Sequence, residues 1–189
     1  MIGLAIVLGY LLGNILTAYP VAYLVKKESI RKLGDGNPGA ANVARSLGRK
    51  WGILVWAGDV TKVLLAMSLA KKMGIDGIFI LTLVGVSAIL GHCYPIFFRF
   101  QGGKGIACMG ATVLFIMPKV FPLAIILWFL IQRINPRSLT LVIQALVVFL
   151  LAIGLVYPKE AFFPLVGSVF LLVGTGMLVN LQVLREMKL

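Results

Sequence analysis

Six apolar segments, residues 2–25, 51–70, 75–98, 106–132, 138–157 and 160–180, take up most of this chain of 189 residues. As helices, they are long enough to cross a hydrocarbon core of roughly 30 Å. Lipid offers no water to backbone N–H and C=O groups, so a spanning segment must close its hydrogen bonds internally. That restricts the fold class to an all-α polytopic membrane protein. The composition agrees: 60% of residues are hydrophobic, 13% are charged, and the mean hydropathy is +1.03. No internal repeat or low-complexity linker divides the chain, so one transmembrane domain over residues 1–189 is expected.

Charge placement sets the expected topology. The run 2–25 has no lysine or arginine ahead of it, whereas Lys26, Lys27, Arg31 and Lys32 follow it. It is also too long for a signal-peptide core, which predicts an uncleaved first span with its N-terminus outside. The run 106–132 carries Pro118, Lys119 and Pro122 at its middle, and a lysine at mid-bilayer is costly. Two short helices, 106–117 and 120–132, instead put Lys119 at the outer surface. They also bring Arg133, Arg137, Arg185 and Lys188 inside, where basic loops accumulate. The expectation is a seven-helix bundle with two short helices, N-terminus outside and C-terminus cytoplasmic. Helices that short reach only about 18–20 Å, so a re-entrant hairpin is the alternative.

The formal charge of +12 lies mostly in short loops. It points to anionic lipid headgroups and anionic substrates, not to nucleic acid. Cys93, Cys108 and the single histidine, His92, make neither a disulfide framework nor a metal-ligand spacing. No metal or cofactor is expected.

Two polar stretches interrupt the apolar pattern. In KKESIRKLGDGNPGAANVARSLGRK, residues 26–50, Gly34, Gly36 and Gly39 permit backbone turns in which successive amides face one anion. Asn37 and Asn42 add side-chain amides, and Arg45 offers a bidentate grip on phosphate. The plain alternative is a flexible basic loop held to anionic lipid. In GHCYPIFFRFQGGKG, residues 91–105, Gly102, Gly103 and Gly105 flank Lys104. This is not a Walker A loop, which needs a hydroxyl after the lysine, so a nucleotide site is discounted.

His92 ends a predicted span, and Cys93 beside it points about 100° away around a helix, poorly placed for activation by its neighbour. A structural hydrogen bonder is the simpler reading of a lone histidine, but its place on the same membrane face as Lys104 favours a role in the site. No carboxylate orienter for it is evident. Asp59 and Lys62 share a helix face inside the second span. Intramembrane charges are functional candidates, although a mutually neutralising structural pair is the simpler account.

With both stretches in view, the chain resembles the bacterial acyl-phosphate:glycerol-3-phosphate acyltransferases, the PlsY family. GDGNPGAANVAR, residues 34–45, resembles that family's GSGNxGxTNxxR motif, and GHCYPIFFRFQGGKGIA, residues 91–107, resembles GHxxPxFxxFxGGKGxAT. DVTK at 59–62 resembles a DxxK that stands between them, and VNLQVL around Asn180 resembles part of a third motif. Ser138 after Arg137 resembles a family loop position. The chain departs from the pattern at Asp35, where serine is usual, at Ala41, where threonine is usual, and at Met177 and Leu178, where a His-Arg pair is usual.

The resemblance implies an enzyme of the bacterial inner membrane with its active site on the cytoplasmic side. It would move a fatty acyl group from acyl phosphate to sn-glycerol 3-phosphate, giving lysophosphatidic acid and phosphate in phospholipid biosynthesis. It implies catalytic roles for His92, Lys104 and Arg45. Phosphate binding falls to Gly36, Asn37, Gly39, Ala40, Ala41, Asn42, Gly102, Gly103, Gly105, Ser138 and Asn180. Partners would be acyl phosphate, glycerol 3-phosphate, membrane lipid and the soluble enzyme that makes acyl phosphate. Asp35 would repel a phosphate, so it is expected to turn away or to orient Arg45. The rival reading is a transporter or flippase for phosphorylated anions, against which the lack of inverted repeats counts.

Overall fold

The computed structural model describes residues 1–134 and 139–180. Among them all regular structure is helical: α1 (Ile2–Gly13), α2 (Ala18–Lys26), α3 (Ala40–Leu47), α4 (Arg49–Lys72), α5 (Ile78–Cys93), α6 (Ile106–Ile116), α7 (Phe121–Ile134), α8 (Leu139–Val156) and α9 (Lys159–Val179). Short 3-10 turns stand at Ile30–Lys32 and Ile96–Phe98. The chain divides into two compact units, Met1–Thr112 and Val113–Leu189.

In the first unit the run 2–25 is not one straight helix, as expected, but breaks between Gly13 and Ala18. Asn14 causes the break by competing for backbone groups. Its Nδ2 donates to the Tyr10 carbonyl (2.6 Å), and its Oδ1 accepts the Ile96 amide (2.6 Å). Pro20 then falls in the first turn of α2, where its missing N–H costs little.

The core of this unit is α1 against α5, with α4 packed on both. Small residues set the approach. A Cβ added at Gly13 would overlap the Ala88 carbonyl, and one at Gly91 the Tyr10 carbonyl. Such contacts hold helices together in lipid, where apolar burial gives no net drive.

The polar stretch 26–50 is not the flexible loop of the plain alternative. It folds into α3, whose Val43 is fully buried with Ala18, Val21, Ala22, Ile30 and Val55. Leu47 and Trp51 pack against the same cluster. Burying a side chain such as Val43 or Ile30 stabilises by about 1.5–3 kcal/mol, enough to fix the glycine turn between them.

In the second unit α8 packs against both α7 and α9. The run 106–132 is interrupted where Pro118 and Lys119 lie exposed, between α6 and α7. The Lys119 amide donates to the Tyr157 hydroxyl (3.3 Å), and its Nζ stands 5.7 Å from the centre of that ring. Among the described residues, four stretches are long and apolar enough to cross a membrane: Ile2–Lys26, Arg49–Lys72, Ile78–Phe98 and Lys159–Val179. The chain is a multi-pass membrane protein.

Candidate active site

The first glycine loop is built around Asn42, which is fully buried. Its Oδ1 accepts from the Asp35 amide (3.1 Å) and the Ser46 hydroxyl (3.3 Å). Its Nδ2 donates to the Leu33 and Asn37 carbonyls (2.9 and 3.0 Å). A side chain so engaged clamps the loop and has no donor left for an anion, which corrects its expected role as a side-chain phosphate ligand.

The loop amides are also committed. Gly36 donates to the Leu33 carbonyl, Asn37 to Asp35 Oδ1 and Gly39 to the Asn37 carbonyl. Of the turns expected at Gly34, Gly36 and Gly39 to face amides toward one anion, those at Gly36 and Gly39 spend their amides within the loop itself. The amides of Ala40, Ala41 and Asn42 lie in the first turn of α3, which no side chain caps. Gly36 is glycine because its φ is +70°. Asp35 does orient Arg45: Nη2 lies 2.7 Å from Asp35 Oδ2, with both side chains about half exposed. Among the described residues, no other partner takes up the remaining guanidinium N–H groups.

The second loop lies over the end of α5. Gly102 donates to the Cys93 carbonyl (2.9 Å) and Gly103 to the His92 carbonyl (3.0 Å). These amides were expected on a phosphate, but they satisfy two of the last carbonyls of α5. The glycines are needed for close approach. A Cβ on Gly102 would overlap the His92 carbonyl, and one on Gly103 would strike His92 Nε2. Gly105 (φ +76°) turns the chain into α6, and the Lys104 side chain is exposed between them.

Below Gly103, His92 belongs to a buried charge cluster that sequence reasoning split in two. Lys62 Nζ donates to Asp59 Oδ1 (2.9 Å), to the Ile15 carbonyl (2.9 Å) and to His92 Nδ1 (2.8 Å). Asp59 Oδ1 is 3.4 Å from His92 Nδ1. A carboxylate does stand beside the histidine, contrary to expectation, but the ammonium holds the closer bond to Nδ1. With Nδ1 accepting, the ring proton sits on Nε2, the nitrogen facing Gly103.

Arg31 was not singled out in the sequence. Its Nε donates to the Tyr19 hydroxyl (3.0 Å), Nη1 to the Gly36 carbonyl (3.1 Å), and Nη2 to the Gln101 and Gly102 carbonyls. One guanidinium thus touches both glycine loops, which stand side by side with Arg45, Lys104 and His92 in one unit. In the second unit Asn180 ends α9 and donates Nδ2 to the Gly176 carbonyl (3.2 Å). Ser138 lies outside the described residues.

A family model described as glycerol-3-phosphate acyltransferase matches residues 3–185. A protein of that name from Aquifex aeolicus (strain VF5) is 39% identical over 163 residues, 84% of this chain and 82% of its own. Its counterpart from Bacillus subtilis (strain 168) is 44% identical over 130 residues, 69% of this chain and 66% of its own. Among solved structures, the lysophosphatidic acid form of PlsY, an integral membrane glycerol 3-phosphate acyltransferase, aligns with TM-score 0.73 and 32% identity over 98% of this chain and 88% of that one. The glycerol 3-phosphate form of PlsY aligns with TM-score 0.71 over 98% of this chain and 92% of that one.

Proposed function

Because the chain belongs to the glycerol-3-phosphate acyltransferase family, we propose that it takes its acyl group from acyl phosphate and uses the two linked glycine loops to bring two anions together. It is a membrane acyltransferase acting on glycerol 3-phosphate, with lysophosphatidic acid as product. The observation that carries the reading is the juxtaposition of two loops bearing exposed cations, Arg45 and Lys104, over His92.

The acceptor hydroxyl oxygen attacks the carbonyl carbon of the acyl phosphate. The new ester C–O bond forms, the C–O bond to phosphate breaks, and phosphate leaves with the electron pair. Acyl phosphate is a mixed anhydride with a good leaving group, so a protein nucleophile gains little. Two phosphates repel, and cations with amides offset this. Arg45 and Lys104 serve glycerol 3-phosphate, and the first turn of α3 at Ala40, Ala41 and Asn42 serves the donor phosphate. Gly105 completes the proposed phosphate contacts. Gly36, Asn37, Gly39, Gly102 and Gly103 shape the loops that present them.

The proton goes to a phosphate oxygen of the substrate, whose pKa near neutrality suits a base. His92 orients, donating from Nε2, because its Nδ1 lone pair is occupied by Lys62. Residues 1–189 act as one transmembrane domain of seven spans in the bacterial inner membrane. Its N-terminus is outside, and its C-terminus and active site are cytoplasmic.

The test supplies purified protein with labelled glycerol 3-phosphate and, in parallel, acyl phosphate, acyl thioester of coenzyme A, or acyl carrier protein thioester. Lysophosphatidate formed with acyl phosphate alone is expected. Turnover with a thioester and none with acyl phosphate sinks the donor assignment.

A further inference from the structure

We propose that Arg31, backed by Tyr19, is a positioning residue for acyl transfer: it braces the two glycine loops so that the two bound phosphates are held at reacting distance. The inference rests on the two-loop reading above.

Among the described residues, Arg31 has only neutral hydrogen-bond partners. These are the Tyr19 hydroxyl, the Gly36 carbonyl in the first loop, and the Gln101 and Gly102 carbonyls in the second. A planar fork whose N–H groups diverge can serve all of these at once, which one compact ammonium cannot do. Backbone contact reinforces the brace, since a Cβ on Gly36 would come within 3.0 Å of the Arg31 carbonyl oxygen. Tyr19 adds an independent link, its ring stacked on Phe98 with centroids 4.3 Å apart and planes at 29°. Phe98 leads directly into the second loop. Arg31 and Tyr19 thus join α2 and the first loop to the second loop by one guanidinium and one ring stack.

Each loop keeps its own shape and its own cation: the Asn42 clamp and Arg45 in the first, the α5 carbonyl contacts and Lys104 in the second. Removing the brace therefore leaves each loop folded with its cation and loosens the distance between them. Misplacement of reactants by about 1 Å costs on the order of a hundredfold in rate. Because no carboxylate among the described residues neutralises it, the guanidinium also keeps positive potential between two anions that repel.

The experiment compares Arg31→Lys and Tyr19→Phe with wild type, as full-length protein in nanodiscs, by steady-state kinetics and by equilibrium binding of labelled glycerol 3-phosphate. For Arg31→Lys, kcat is expected to fall about a hundredfold, with binding stoichiometry per chain unchanged. Tyr19→Phe keeps the ring stack and loses one hydrogen bond, so kcat is expected to fall about fivefold. Three results overturn the brace: wild-type kinetics in both variants, a raised KM with kcat intact, or loss of binding sites in proportion to kcat. The first makes the contacts idle, the second makes Arg31 a substrate ligand, and the third makes it a folding residue only. Arg45→Ala and Lys104→Ala measured alongside separate the two ideas. If they stay active, the two-loop reading itself fails; if they are inactive while Arg31→Lys is normal, only the brace falls.

Discussion

The Asp59–Lys62–His92 cluster supplies the sharpest stability test. Replacing Lys62 by Met keeps the chain's length and apolar stem but removes the ammonium. Three acceptors then lose their donor at once: the Ile15 carbonyl, Asp59 Oδ1 and His92 Nδ1, all bonded at 2.8–2.9 Å. Lys62 and Asp59 side chains are 4% and 3% exposed, so water cannot replace the lost partner. Breaking a buried ion pair by deleting one member costs about 3–5 kcal/mol, because the other charge stays buried and uncompensated. Asp59→Asn removes the stranded charge. Its amide also offers a donor to His92 Nδ1. The double variant Asp59→Asn/Lys62→Met is therefore expected to recover about 2 kcal/mol or more relative to the single Lys62→Met. The assay is unfolding in detergent for wild type, both singles and the double, read as a double-mutant cycle. Strict additivity, or a Lys62→Met protein within about 1 kcal/mol of wild type, refutes the argument that the pair is desolvated and mutually dependent.

Lys104→Ala is expected to lose turnover by about 2–4 kcal/mol of transition-state stabilisation while remaining folded in the membrane, with Lys104→Arg recovering only part. Rates measured beside an unchanged unfolding curve check this. His92→Gln keeps a hydrogen-bonding side chain, so an orienting role predicts a loss of about tenfold, whereas a loss of three or more decades marks His92 as the base. The double variant Cys93→Ala/Cys108→Ala should stay active, and protein given labelled acyl phosphate alone should carry no covalent label on intact-mass analysis. Lys119→Cys should react with an impermeant maleimide from outside intact cells; labelling only after permeabilisation excludes the seven-span topology.

The membrane class, the helical fold and the family were legible in the sequence because each is a local property. Apolar run length reports on lipid, and Pro118 with Lys119 marks a break that local sterics and charge impose wherever the segment lies. The glycine and cation spacings around Arg45 and Lys104 likewise carry their resemblance without reference to packing. What the glycines do was decided only by tertiary structure. Gly102 and Gly103 spend their amides on α5 carbonyls, and Asn42 spends its side chain inside its own loop. Hydrogen-bond satisfaction is an account closed over the whole fold, so a sequence motif cannot say which donors remain for a ligand. The same reason hid Arg31, one basic residue among several in its stretch, until the loop around Gln101 came within reach of its guanidinium. It also hid the union of His92 with Asp59 and Lys62. Their i, i+3 spacing is a helix property visible in the chain, whereas the contact 30 residues away from Lys62 exists only because α4 packs on α5.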